Sequence, residues 1–137
     1  MDSAPPDTPR EVILVIDDEA PVRRVLVRAL QHAGFDTIEA KDGSEAIHLF
    51  AEQARRISAV TLDLVMPTTN GRETLAMLSA YAPTLPIVVV TALPQPADLL
   101  GRVPGTKGVG YVHKPFTFDG LANEVRRVIA EMRDPTT

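Results

Sequence analysis

Short apolar runs recur along this chain, separated by stretches with helical spacing. The runs VILVI at Val12–Ile16, AVTL at Ala59–Leu62 and IVVV at Ile87–Val90 are almost unbroken β-branched residues and leucine. A strand that faces solvent on one side would alternate apolar and polar residues. Continuous runs of this kind are what strands covered by helices on both faces require, and their alternation with helical patterns predicts βα units and a parallel sheet. Asp36–Ala40 has one strong apolar residue, Ile38, and suits an edge strand; Val109–Val112 predicts the last strand.

Between the strands, Val22, Val25, Leu26, Ala29, Leu30 and Ala33 fall on one helical stripe, with Arg23, Arg24 and Arg28 elsewhere. Pro21 suits the first turn of that helix and Gly34 the C′ position. A second helix is expected from about Asp42, with the Asp42 carboxylate capping it and Glu45 reaching back, and with Ala46, Ile47, Phe50 and Ala54 on its buried side. A third starts near Gly71 and uses Leu75 and Leu78; the last presents Leu121, Val125, Val128, Ile129 and Met132.

Length and composition narrow the classes. The chain of 137 residues has room for one domain and can bury enough surface to fold without staples. Residues 1–10, with three prolines, read as a disordered lead, 11–133 as the domain, and 134–137 as a frayed tail. With no cysteine, disulfides and thiolate metal sites are excluded, which fits a cytoplasmic protein. No apolar run approaches the roughly 20 residues of a membrane span, so no membrane insertion is expected. A net charge of −4 argues against direct nucleic-acid binding as the main task and favours protein partners.

Five residues stand where the strand-like runs end: Asp17 and Asp18 after VILVI, Asp63 after AVTL, Thr91 after PIVVV and Lys114 after GYVH. If the runs are parallel strands, all five side chains meet at one edge of one sheet, where open α/β sheets bind ligands. Three carboxylates there repel unless a cation is present or one is protonated. A hard divalent cation such as Mg2+ accepts oxygen ligands, keeps several waters and takes one or two protein carboxylates with a phosphate oxygen. Adding a hydroxyl and an ammonium describes a magnesium-assisted phosphoryl site. Singly each residue is unremarkable: an Asp-Asp pair is usually a solvated loop, a Thr ending a strand is usually β-favoured, and a Lys-Pro is usually a turn.

Taken together and in this order, the set resembles the receiver domain of two-component response regulators, over about Val12 to Met132. Asp63-Leu64-Val65-Met66-Pro67 with Gly71 matches that family's loop after the third strand, and Lys114-Pro115-Phe116 its loop after the fifth, where the Lys-Pro bond is often cis. The resemblance implies a flavodoxin-like (βα)5 fold, a doubly wound parallel sheet of five strands in the order 2-1-3-4-5. It implies that Asp63 is the phosphoacceptor. Asp18 and Asp63 would ligate Mg2+ or Mn2+ directly, Asp17 through water, and the Val65 backbone carbonyl would complete the protein share. Thr91, the Ala92 amide and Lys114 would meet the phosphoryl oxygens, and Tyr111 would be the switch aromatic that turns as Thr91 moves. His113, His32 and His48 read instead as exposed strand and helix residues.

The implied function is to accept a phosphoryl group from a histidine kinase or histidine phosphotransfer protein and to control a downstream protein target. The chain would be no enzyme beyond its own phosphorylation and dephosphorylation, and a monomer or weak dimer. The alternative is a phosphorylation-independent interaction module of the same fold. A flavodoxin-like carrier is disfavoured by the loop Asp17-Asp18-Glu19-Ala20-Pro21, which lacks hydroxyls and glycine, and an aspartyl phosphatase by Val65 where a second Asp is needed. Met1 and the short tail lean toward a stand-alone protein, although a fragment would read the same.

One stretch departs from the family. Where it places a full fourth helix, Pro94, Pro96 and Pro104 with Gly101, Gly105, Gly108 and Gly110 leave only Ala97–Leu100 as a turn of helix, so a short or irregular helix is expected there. Val65 and Leu93, at positions the family uses to tune phosphate lifetime, are apolar and supply no group to orient water, which predicts slow loss of the phosphoryl group.

Overall fold

The computed structural model describes residues 10–66, 71–92 and 108–133. These form β1 (Val12–Ile16), α1 (Ala20–His32), β2 (Asp36–Ala40), α2 (Gly43–Gln53), β3 (Ile57–Leu62), α3 (Gly71–Tyr81), β4 (Ile87–Thr91), β5 (Val109–His113) and α4 (Phe118–Arg133). The strands make one parallel sheet in the order β2-β1-β3-β4-β5. This is the flavodoxin-like fold that the resemblance implied. The expected turn of helix at 97–100, the lead 1–9, the tail 134–137, Pro67 and Leu93 lie outside the described residues.

Side chains of successive strand residues point to opposite faces, and the two faces are buried against different helices. Leu14, Ile16, Val60, Leu62, Ile87 and Val89 pack with Ala46 and Phe50 of α2 and Leu75 and Leu78 of α3. Ile13, Val15, Ala59, Val88, Val90 and Val112 pack with Leu26, Ala29 and Leu30 of α1 and Leu121, Val125, Val128 and Ile129 of α4. That two-sided cover is why the central runs contain so few polar residues. β2, at the sheet edge, exposes Asp36 and Glu39 and buries only Ala40 fully.

Several local expectations are met and others shift. Pro21 lies in the first turn of α1, and Gly34 follows its C-cap at φ 99°. The Asp42 carboxylate accepts the Glu45 N–H at 2.8 Å, while Glu45 reaches back to the N–H of Lys41, one residue before the cap. Val25 is 43% exposed because it flanks the stripe centred on Leu26, Ala29 and Leu30. Ala54 is exposed just past the end of α2. β3 begins earlier than its apolar run, at Ile57, which pairs with Val12 across a register shift.

An acidic cluster at the carboxyl edge of the sheet

Strand register assembles the site. Ile16 pairs with Leu62, so Asp17 and Asp63, the next residues, leave neighbouring strands side by side. The Asp63 N–H donates to the Ile16 carbonyl at 3.1 Å and the Asp17 N–H to the Ala40 carbonyl at 3.2 Å, holding both residues to the sheet. Beyond β4 and β5, the Lys114 N–H donates to the Thr91 carbonyl at 2.9 Å, and the Lys114–Pro115 bond is cis.

The side chains divide between the two faces of the sheet. Asp17, Asp63 and Lys114 stand two residues past Val15, Thr61 and Val112, toward α1 and α4. Thr91 stands two past Val89 and shares the α2 and α3 side with Tyr111. The site therefore straddles the sheet's end. Thr91 and Asp17 have no exposed surface and Asp63 is buried; Asp18 and Lys114 are half-buried, and Ala92 and Val65 are exposed.

At the centre, the Lys114 ammonium donates to Asp17 Oδ2 at 3.3 Å and to Asp63 Oδ2 at 3.2 Å. The other oxygens are held by backbone: Asp17 Oδ1 accepts the Glu19 N–H at 2.9 Å, and Asp63 Oδ1 accepts the Val65 N–H at 3.0 Å. Burial pushes the Asp17 carboxyl above its ordinary value, and repulsion from Asp63 adds to this. The Glu19 N–H and the Lys114 charge work the other way without cancelling it. Burial alone would lower the Lys114 ammonium, but Asp17 and Asp63 more than reverse that and hold it above its ordinary value.

Carboxylate oxygens of Asp17, Asp18, Glu19 and Asp63 all lie within 4.8 Å of one another. Four carboxylates thus gather where the Lys114 ammonium reaches Asp17 and Asp63, and the donors are all hard oxygens. That set fits Mg2+ or Mn2+, not zinc or copper, which favour nitrogen and sulfur. Glu19 is a member that the strand-end reading missed; its only sequence signal is that it follows the Asp pair directly. Arg23 is another, since its guanidinium donates to the Asp17 carbonyl at 2.7 Å and bonds Glu39 at 2.9 Å, tying α1 and β2 to the site.

Tyr111 is half-buried, its ring 6.3 Å from that of His113 at 62°, and its backbone N–H donates to Glu124 at 2.9 Å. His113, His32 and His48 are exposed, as expected. A groove of about 770 Å³ lies at the opposite end of the sheet, lined by Tyr81, Leu85 and Met132 among others, and includes none of the acidic residues. Cavity size and chemistry do not coincide here, and the chemistry locates the site. Among the described residues no helix is long and apolar enough to cross a membrane.

Comparison with known proteins agrees with this geometry. A family model described as the response regulator receiver domain matches residues 13–126. The probable transcriptional regulator ycf27 of Porphyridium aerugineum is 37% identical over 122 residues, covering 88% of this chain and 48% of that protein. Response regulator MprA of Mycolicibacterium vanbaalenii is 36% identical over 119 residues, covering 85% of this chain and 49% of that protein. The chain therefore spans about half the length of the curated relatives it matches. Among solved structures, response regulator protein TrrA from Thermotoga maritima in complex with Mg2+-BeF superposes with a TM-score of 0.75 at 28% identity, covering 86% of this chain and 98% of that one. With the family model spanning most of its length and the five strand-end residues in place, the chain belongs to the response regulator receiver domain family.

Proposed function

We propose that Asp63 accepts a phosphoryl group from a histidine kinase or histidine phosphotransfer protein, and that the chain then changes conformation to control a protein partner. The observation that carries this reading is the state of Asp63: a buried carboxylate with one oxygen on the Val65 N–H and the other on Lys114, inside a cluster of like charges. Asp18 and Asp63 would hold Mg2+ directly, Asp17 through water, with the Val65 carbonyl as a further ligand; TrrA, similar in fold, is described in complex with Mg2+-BeF. When bound, the ion would offset the charge of the carboxylates and of the phosphoryl oxygens.

An oxygen of Asp63 forms the new bond to phosphorus while the bond to the donor's imidazole nitrogen breaks and its electron pair leaves with that nitrogen, giving an acyl phosphate. Lys114, already between Asp17 and Asp63, moves its charge onto the phosphoryl oxygens. Thr91 would turn its hydroxyl toward them, and Tyr111, on the same face of the sheet as Val89, would move into the space it leaves. Moving a balance from 1:99 to 99:1 takes about 5.5 kcal/mol, whereas one hydrogen bond to a charged group supplies roughly 1.5–3 kcal/mol. Thr91 alone is thus too weak, and the Ala92 amide and Lys114 share the work.

Intact-mass analysis of the wild type and Asp63→Asn after incubation with Mg2+ and acetyl phosphate tests the reading. One phosphoryl group on the wild type alone is expected. An adduct that persists in Asp63→Asn would move the acceptor elsewhere, and no adduct on either, with Mg2+ binding confirmed separately, would favour the phosphorylation-independent module.

A further inference from the structure

Among the described residues β5 pairs with β4 alone and ends the sheet. In a parallel ladder the backbone groups of alternate residues turn to the same neighbour. Lys114 donates to Thr91, and the Gly108 carbonyl accepts from Ile87, so the even-numbered residues face β4 and Val109, Tyr111 and His113 turn outward. Such an outward row is a template for another strand. At its centre the Tyr111 N–H is taken by Glu124 of α4 at 2.9 Å.

Glu124 is itself gripped. Arg127 donates to its two oxygens at 2.8 and 2.9 Å and reaches Glu131 at 3.6 Å. Its approach to the strand depends on Gly110, where a Cβ would come within 2.6 Å of Glu124 Oε2 and 2.5 Å of Val128 Cγ2. The side chain of Glu124 is 20% exposed, so this carboxylate has given up much of its water for a single backbone donor and one guanidinium.

We propose that Glu124 caps the outer edge of β5: by holding the Tyr111 N–H it keeps that edge closed to another strand. A partner that adds a strand to β5 has to displace this hydrogen bond.

NMR of the 15N-labelled full chain tests this, comparing the wild type with Glu124→Ala, Glu124→Gln and Arg127→Ala and reading amide exchange at Tyr111, Val112 and Val128. Glu124→Ala is expected to speed Tyr111 exchange by about tenfold or more, the equivalent of losing one hydrogen bond to a charged acceptor. Val112 and Val128 are expected to stay within about twofold. Glu124→Gln keeps an acceptor and most of the protection. Arg127→Ala, which keeps the carboxylate and removes its grip, is expected to speed Tyr111 exchange severalfold and carries the test if Glu124→Ala does not fold. An unchanged Tyr111 rate or equal acceleration at all three residues would overturn the proposal, the second because it marks a loosened helix.

Discussion

Gly71 opens α3 directly against the backbone of the Asp63 loop. A Cβ there would meet the Leu64 Cα and lie 2.5 Å from the Leu64 carbonyl oxygen and 2.6 Å from that of Asp63. Those neighbours are backbone and cannot swing aside as a side-chain tip can. Gly71→Ala is expected to destabilise the fold by about 1–3 kcal/mol and, by displacing Asp63, to slow acetyl phosphate labelling more than an equally destabilising change in α2 does. Urea titration and mass-detected labelling of both variants check this. Thr61 presents the opposite case. It has no exposed surface, stands in register between Val15 and Val88, and its hydroxyl has no hydrogen-bond partner among the described residues. An unpartnered buried hydroxyl costs about 1–3 kcal/mol, so Thr61→Val should raise the urea midpoint with an unchanged slope. A lower midpoint would mean that a buried water satisfies the hydroxyl in solution.

At the scale of elements, α4 is fastened to β5 by a titratable group. Hydrogen bonds from Arg127 hold Glu124 below its ordinary value, burial opposes them, and the Tyr111 N–H assists. With a folded-state value below the unfolded one, the native state binds fewer protons, so this contribution is complete above the ordinary value of 4.5 and is lost as pH falls through the folded value. The stability gap between wild type and Glu124→Gln should be constant near neutral pH and shrink below 4.5; denaturant midpoints against pH read it directly. This contact also marks a limit of legibility. Strands such as Val12–Ile16 and Ile87–Val90 were readable because two-sided burial forces a continuous apolar run, and Asp17, Asp18, Asp63, Thr91 and Lys114 because a site at strand ends inherits the strand pattern. Ile57 was not, since it follows Arg55 and Arg56 and looks like loop, nor was the exposure of Val25, because helical spacing locates a stripe but not its width. Glu124 is separated from Tyr111 by 13 residues and reads as an ordinary helix-surface carboxylate; only tertiary packing, with Gly110 clearing the path, brings the two together.

Over the whole molecule, the net charge of −4 hides a separation. Asp17, Asp18, Glu19 and Asp63 gather at the carboxyl end of the sheet, while at the other end Arg10, Arg55, Arg56 and Arg133 line a groove of about 560 Å³ with Glu11 and Asp36, which pair with Arg133 and Arg10 and leave Arg55 and Arg56 in excess. The acidic end concentrates repulsion that Lys114 only partly offsets, and a bound divalent cation would relieve it. A ligand that binds only the folded state at a hundredfold excess over its Kd adds about 2.7 kcal/mol of stability, enough to raise the Tm of a domain of this size by several degrees. Mg2+ is therefore expected to raise the wild-type Tm saturably. Asp18→Asn should lose most of that response while being at least as stable as the wild type without Mg2+, since one of the repelling carboxylates has gone. KCl at matched ionic strength separates binding from screening, because screening depends on ionic strength and not on the ion's identity. A thermal shift that KCl reproduces would mean that the cluster is merely screened, and one that Asp18→Asn keeps in full would mean that the ion is held without Asp18.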